Sequence, residues 1–148
     1  MPRAEAERML AHVRAGYPFE ACGALLGRGR DVHRVVPLLN RETEKPRVRY
    51  AIEPRDLVRL DREARADDLE IVGYFHSHPD HPARPSETDK RIAAEGLSDG
   101  VFHIVVGVEG GARTTPTAWV FREATGTFEE EPFEILDHGD TVLTVPLW

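Results

Sequence analysis

Two histidines two residues apart, a proline directly after them and a carboxylate one loop later are the residues of this sequence best suited to chemistry. The segment Gly73-Tyr-Phe-His-Ser-His-Pro79 carries His76 and His78, and Ser86-x-x-Asp89 follows after six intervening residues. Side chains at i and i+2 of a strand share one face. A carboxylate brought back by the next turn completes three ligands around a metal. Three protein ligands leave a fourth position for water, which is the pattern of a catalytic zinc site. Ser86 and Asp89 also fit a capping box, with Ser86 at N-cap and Asp89 at N3. The two uses are compatible, because a helix starting at Ser86 aims its first turn at the histidines. His76, His78 and Asp89 are therefore the expected ligands of one Zn²⁺ per chain, and Ser86 is a candidate hydroxyl donor beside it.

Glu20 is a charged residue next to the apolar run Ala21–Leu26. A strand-start residue facing solvent is its plain explanation. A glutamate that touches the metal's water without ligating the metal is what hydrolysis requires. Cys22, the only cysteine, shares a strand face with Glu20; a buried small apolar residue is its ordinary role. His81 lies in a loop containing Pro79, Pro82 and Pro85, exposed or in contact with a substrate. His12, His33, His103 and His138 have no ligand spacing.

Other metal chemistries fit less well. Zinc nucleobase deaminases need Pro-Cys-x-x-Cys, which a single cysteine excludes. There is no His-Glu-x-x-His. A cupin expects a glutamate shortly after His-x-His, where this chain has Pro82 and Ala83. Non-haem iron triads usually place the carboxylate beside the first histidine, whereas Asp89 follows both.

The elements that must position these residues are legible from pattern. The chain has 148 residues, 41% hydrophobic and 30% charged, which fits one globular domain over 1–148. Helical spacing covers about 3–15, stopped by Gly16 and Pro18. Strands are expected at 21–26 and 32–37, with a polar loop at 41–46 and a further strand at Val48–Ile52. Pro54 starts a helix to about Ala66. Leu69–His76 is rich in β-formers. A helix from Ser86 stops near Gly96. Strands follow at 101–108, 117–122 and 127–135. This order predicts a layered α/β sandwich, a mixed sheet flanked by helices.

A formal charge of −7 argues against nucleic-acid binding, which leans on a basic surface. Glu129-Glu130-Glu131 and Glu134 read as a solvated edge or as steering for a basic partner. No secretory signal or membrane-spanning run is visible, so a cytoplasmic protein without membrane attachment is expected. The apolar Thr141–Trp148 suggests docking on its own domain, a homodimer contact or self-occupation of a groove.

With Glu20-Ala-Cys-Gly-Ala-Leu-Leu-Gly27 upstream, the His-x-His-Pro and Ser-x-x-Asp elements resemble the JAMM/MPN-domain zinc metallopeptidases, in particular small bacterial-type members. The resemblance implies a single-domain MPN-like (cytidine-deaminase-like) fold with a curved mixed sheet. It implies Glu20 as catalytic acid–base, Ser86 as oxyanion donor, and Zn²⁺ on His76, His78 and Asp89. It further implies a peptidase or isopeptidase acting at the Gly-Gly tail of a ubiquitin-like sulfur-carrier protein, including a carrier–cysteine adduct. A deubiquitinase-like isopeptidase is the alternative, since relatives of that kind cleave ubiquitin linkages. A non-catalytic MPN scaffold ranks lower because every ligand position is retained.

Overall fold

The computed structural model describes residues 1–96, 100–136 and 143–144. His138 and most of the apolar segment Thr141–Trp148 lie outside them. The elements run α1 (Arg3–Gly16), β1 (Cys22–Arg28), β2 (Asp31–Leu38), α2 (Pro54–Ala66), β3 (Glu70–Pro79), α3 (Glu87–Glu95), β4 (Phe102–Glu109), β5 (Arg113–Arg122), β6 (Thr127–Glu131) and the two-residue β7 (Leu143–Thr144). The strands form one mixed sheet in the order β6-β5-β4-β3-β1-β2-β7. All pairs are antiparallel except β3–β4, which is parallel. A parallel pair needs a crossover connection, and α3 lies in it.

Both faces of the sheet are covered, which gives the layered sandwich. On one face Ala6, Met9 and Val13 of α1 pack against Leu25, Val35, Phe75, Ile104 and Val106. On the other, Leu60 and Ala64 of α2 pack against Cys22, Ala24, Leu26 and Leu38. Each fully buried aliphatic side chain of this kind contributes about 1.5–3 kcal/mol. Burial on both faces explains why β1 and β4 read as continuous apolar runs. Gly23 is required by close approach: a Cβ there would lie 2.2 Å from the Phe75 ring and 2.5 Å from the Val36 carbonyl oxygen. No helix among the described residues is long and apolar enough to cross a membrane.

The structure corrects several expected elements. Val48–Ile52 is not a strand. Its backbone bonds locally instead: Val48 and Arg49 N–H donate to the Lys45 carbonyl, and Ala51 N–H donates to Asn40 Oδ1. β3 continues to Pro79, three residues past the expected end, so both His76 and His78 are strand residues. β5 begins at Arg113, with Pro116 inside it; Pro116 faces Val106 of β4 but lies beyond the reach of β6, so no strand needs its missing N–H. β6 stops at Glu131, where Pro132 follows. The acidic edge is partly internal: Glu131 is 4% exposed and pairs with Arg30 and Arg122, while Glu129 also pairs with Arg122.

Candidate metal centre

The registers bring the separated motifs together. β1 pairs with β3 so that Cys22 faces His76, and Glu20, two residues earlier, comes to the level of His78. His76 and His78 are both buried at the carboxyl end of β3. The turn containing Pro82 and Pro85 then starts α3 at Ser86, where the capping box forms in full. Ser86 Oγ accepts from Asp89 N–H at 3.0 Å, and Asp89 Oδ2 accepts from Ser86 N–H at 2.8 Å.

The same Asp89 Oδ2 lies 3.2 Å from Nε2 of each histidine, and the two Nε2 atoms are 3.1 Å apart. One Glu20 oxygen and one nitrogen from each histidine also lie within 4.8 Å of one another. Lone pairs aimed at one point repel unless a cation or protons stand between them. In a tetrahedron with bonds of about 2.0–2.1 Å the ligand–ligand edge is about 3.3 Å, close to all three observed edges. The donor set, two imidazoles and a carboxylate, also suits zinc. These residues therefore fit a divalent ion of zinc's size.

Partners outside the triangle fix the tautomer of one ligand. His78 Nδ1–H donates to the Pro82 carbonyl at 2.9 Å, which leaves Nε2 with its lone pair toward Asp89. Tyr50 stacks on His76, with centroids 4.6 Å apart and planes at 22°. Burial works to raise the Asp89 carboxyl, but the two imidazoles and the Ser86 N–H outweigh it and hold it far below the usual carboxylate range. Burial lowers His76. In His78 burial acts in the same direction, but Asp89 and the Pro82 carbonyl prevail and raise it.

Glu20 is 5% exposed, and its Oε1 is buried with no hydrogen-bond partner. Burial pushes its carboxyl up to about 8, opposed by His78 and reinforced by Asp89. A group titrating there can carry a proton in either direction near neutral pH. Its backbone is clamped on three sides. Glu20 N–H donates to the Pro46 carbonyl at 2.7 Å. Asn40 Nδ2 donates to the Glu20 carbonyl at 2.9 Å and to the Arg49 carbonyl at 3.0 Å. Ser77, fully buried between the two histidines, accepts from Ala21 N–H at 2.8 Å through Oγ.

All five candidate residues thus come together. Cys22 lies close by, but burial pushes its thiol up to about 12, so it is inert as a nucleophile. His81 is exposed and lines the cleft that holds Glu20 and Ser86. Asn40, Ser77 and Tyr50 were not legible as site residues. Asn40 directly before a polar loop was the available signal, since such residues bond local backbone. Ser77→Ala is expected to leave Ala21 N–H buried without a partner, at about 1–3 kcal/mol. Thermal unfolding should show that loss, and an unchanged Tm would refute the clamp.

The chain matches the family of prokaryotic homologs of the JAB domain over residues 2–122. It is 31% identical over 132 residues to a desampylase of Haloferax volcanii, covering 83% of this chain and 91% of that protein. It is 30% identical over 132 residues to the CysO-cysteine peptidase of Mycobacterium tuberculosis, covering 87% and 85%. The solution structure of a Desulfitobacterium hafniense protein superposes with a TM-score of 0.79 at 30% identity, covering 95% of this chain and 96% of that one. A glutamate two residues before β1, a His-x-His strand end and a capped Ser-x-x-Asp helix meeting at one point, within a matched span that contains all of them, make this chain a small prokaryotic member of the JAMM/MPN family.

Proposed function

We propose that this chain is a zinc-dependent peptidase that hydrolyses an amide bond at the C-terminal Gly-Gly tail of a ubiquitin-like sulfur-carrier protein. The observation that carries the proposal is the near-equilateral triangle of His76, His78 and Asp89 donor atoms beside the unpartnered Glu20 oxygen. His76, His78 and Asp89 would hold one Zn²⁺. Bound there, the ion supplies Lewis acidity toward the scissile carbonyl and lowers the pKa of a water.

Glu20 takes a proton from the attacking water onto Oε1 and returns it to the leaving nitrogen. Ser86 Oγ already accepts from Asp89 N–H, so its own hydrogen remains to donate to the oxygen of the carbonyl under attack. A lost donor of this kind costs roughly 2.7–4 kcal/mol in the best-measured case. Asn40 and Ser77 hold Glu20 in register with His78. Relatives named as a desampylase and as a CysO-cysteine peptidase support the carrier-tail substrate over linked ubiquitin.

The test is incubation of zinc-loaded protein with a ubiquitin-like carrier extended beyond its Gly-Gly, with mass spectrometry of the products. Cleavage directly after the second glycine is expected, and faster than cleavage of linked ubiquitin. Cleavage of linked ubiquitin with no action on carrier extensions would establish the deubiquitinase-like alternative instead.

A further inference from the structure

Residues 80–85, which join the end of β3 to the cap of α3, form neither helix nor strand and are mostly exposed. One atom of this loop nevertheless serves the candidate centre, the Pro82 carbonyl that accepts from His78 Nδ1–H at 2.9 Å. An exposed loop holds such an atom in place only if its rotations are stopped. Pro82 and Pro85 each fix φ. Freedom remains at Asp80, His81, Ala83 and Arg84. Asp80 is stopped at the near end, in the left-handed region with φ at 57°. Its N–H donates to the Val108 carbonyl at 2.8 Å, its Oδ1 accepts from Gly110 N–H at 2.8 Å, and its Oδ2 accepts from the Tyr17 hydroxyl at 2.6 Å.

The far end is stopped from another strand. Arg84 N–H donates to the same Pro82 carbonyl at 2.8 Å, which closes a tight turn centred on Ala83. The loop passes over β4 at Gly107, where a Cβ would lie 3.4 Å from that of Ala83. Beyond β4, Thr117 Oγ1 of β5 donates to the Ala83 carbonyl at 2.6 Å. Thr117 Oγ1 also lies 3.0 Å from the Val105 carbonyl, but a hydroxyl carries one hydrogen, and the Ala83 contact is the shorter. Trp119 Nε1–H donates to Thr117 Oγ1 at 2.8 Å. The bonds from Trp119 to Thr117 to Ala83 run in one direction, so each polarises the next.

We infer that Thr117, two strands away from the histidines in the sheet, is a positioning residue of the metal centre. Its hydroxyl holds the Ala83 turn, and that turn holds the Pro82 carbonyl where it keeps the proton on His78 Nδ1 and leaves Nε2 free to ligate. The inference rests on the metal site proposed above. Ser86 follows Pro85 directly, so the same fastening sets where α3 begins and where Asp89 stands. The sheet itself does not need this hydroxyl. Valine suits a strand as well as threonine does, and what valine lacks is the donor to Ala83.

The test measures zinc affinity of the folded protein by chelator competition, and solvent exchange of the His78 Nδ1–H resonance in the zinc-loaded protein. Loss of a group that orients a metal ligand directly costs about 10–100-fold in affinity. Thr117 acts through the turn, so Thr117→Val is expected to cost about tenfold, at the low end of that range, and to speed Nδ1–H exchange. Thr117→Ser keeps the hydroxyl and should keep both values. Ala118→Gly, the next residue of β5, packs on the α1 face and away from the loop. It should lower Tm and leave zinc affinity and exchange unchanged. Zinc affinity or exchange unchanged in Thr117→Val would overturn the role. So would Thr117→Ser behaving like Thr117→Val, or Ala118→Gly weakening zinc by as much. Failure of the unmodified protein to bind zinc would overturn the metal site itself and this role with it.

Discussion

Glu20→Gln is expected to retain one zinc per chain and the fold, yet to hydrolyse the extended carrier about 10²–10⁴-fold more slowly. The substitution keeps the size of a side chain that is 5% exposed and removes only its capacity to take up a proton. Three other donor atoms form the ligand triangle, so metal content should not follow activity. Zinc content and single-turnover rate measured on the same preparation separate the two. Near-normal turnover would remove Glu20 from the mechanism, and loss of zinc would make it a ligand.

The metal-free protein offers a second readout. Folded Glu20 titrates at about 8 because burial penalises its charge, above its value in the unfolded chain. Between those values the folded state binds more protons than the unfolded one, so stability falls as pH rises through that window. In Glu20→Gln that component of the slope should vanish. An unchanged pH dependence of Tm in the metal-free variant would contradict the buried, unpartnered carboxyl.

Much of the centre was legible because its chemistry is local. His76 and His78 share a strand face by period alone, and Ser86 and Asp89 lie within one helical turn. Glu20 was not legible in the same way. The register Cys22 opposite His76, a tertiary fact, brings it to the site, and only the resemblance anticipated it. Asn40 and Ser77 escaped for the same reason, since their partners Glu20 and Ala21 are distant in sequence. Val48–Ile52 misled because alternation predicts a strand only where a neighbouring strand is free to pair, and here Asn40 takes the Ala51 N–H instead. Net charge describes the whole surface, whereas Lys45, Arg49 and Arg84 line one cleft together with Glu20 and Glu87.

Asp89→Asn should separate the two jobs that one carboxylate performs here. Asp89 Oδ2 accepts from Ser86 N–H in the capping box and also faces both Nε2 atoms. Asparagine keeps an oxygen able to accept from Ser86 N–H and keeps the backbone N–H that Ser86 Oγ accepts. Loss of the cap is therefore incomplete, and metal-free stability should change by about 1 kcal/mol or less. An amide oxygen is a much weaker zinc ligand than a carboxylate. Disturbing partners outside the ligand set already costs about 10–100-fold in affinity, so loss of a charged ligand is expected to exceed ~100-fold. Each tenfold loss removes about 1.4 kcal/mol from the stabilisation by excess zinc. The rise in Tm on adding zinc should then shrink sharply in Asp89→Asn, while the metal-free Tm stays close to that of the unmodified protein. His76→Ala/His78→Ala should abolish the zinc response altogether, and stoichiometric zinc in that double variant would place the metal elsewhere. A large fall in metal-free Tm with zinc affinity preserved would make Asp89 a helix cap and nothing more.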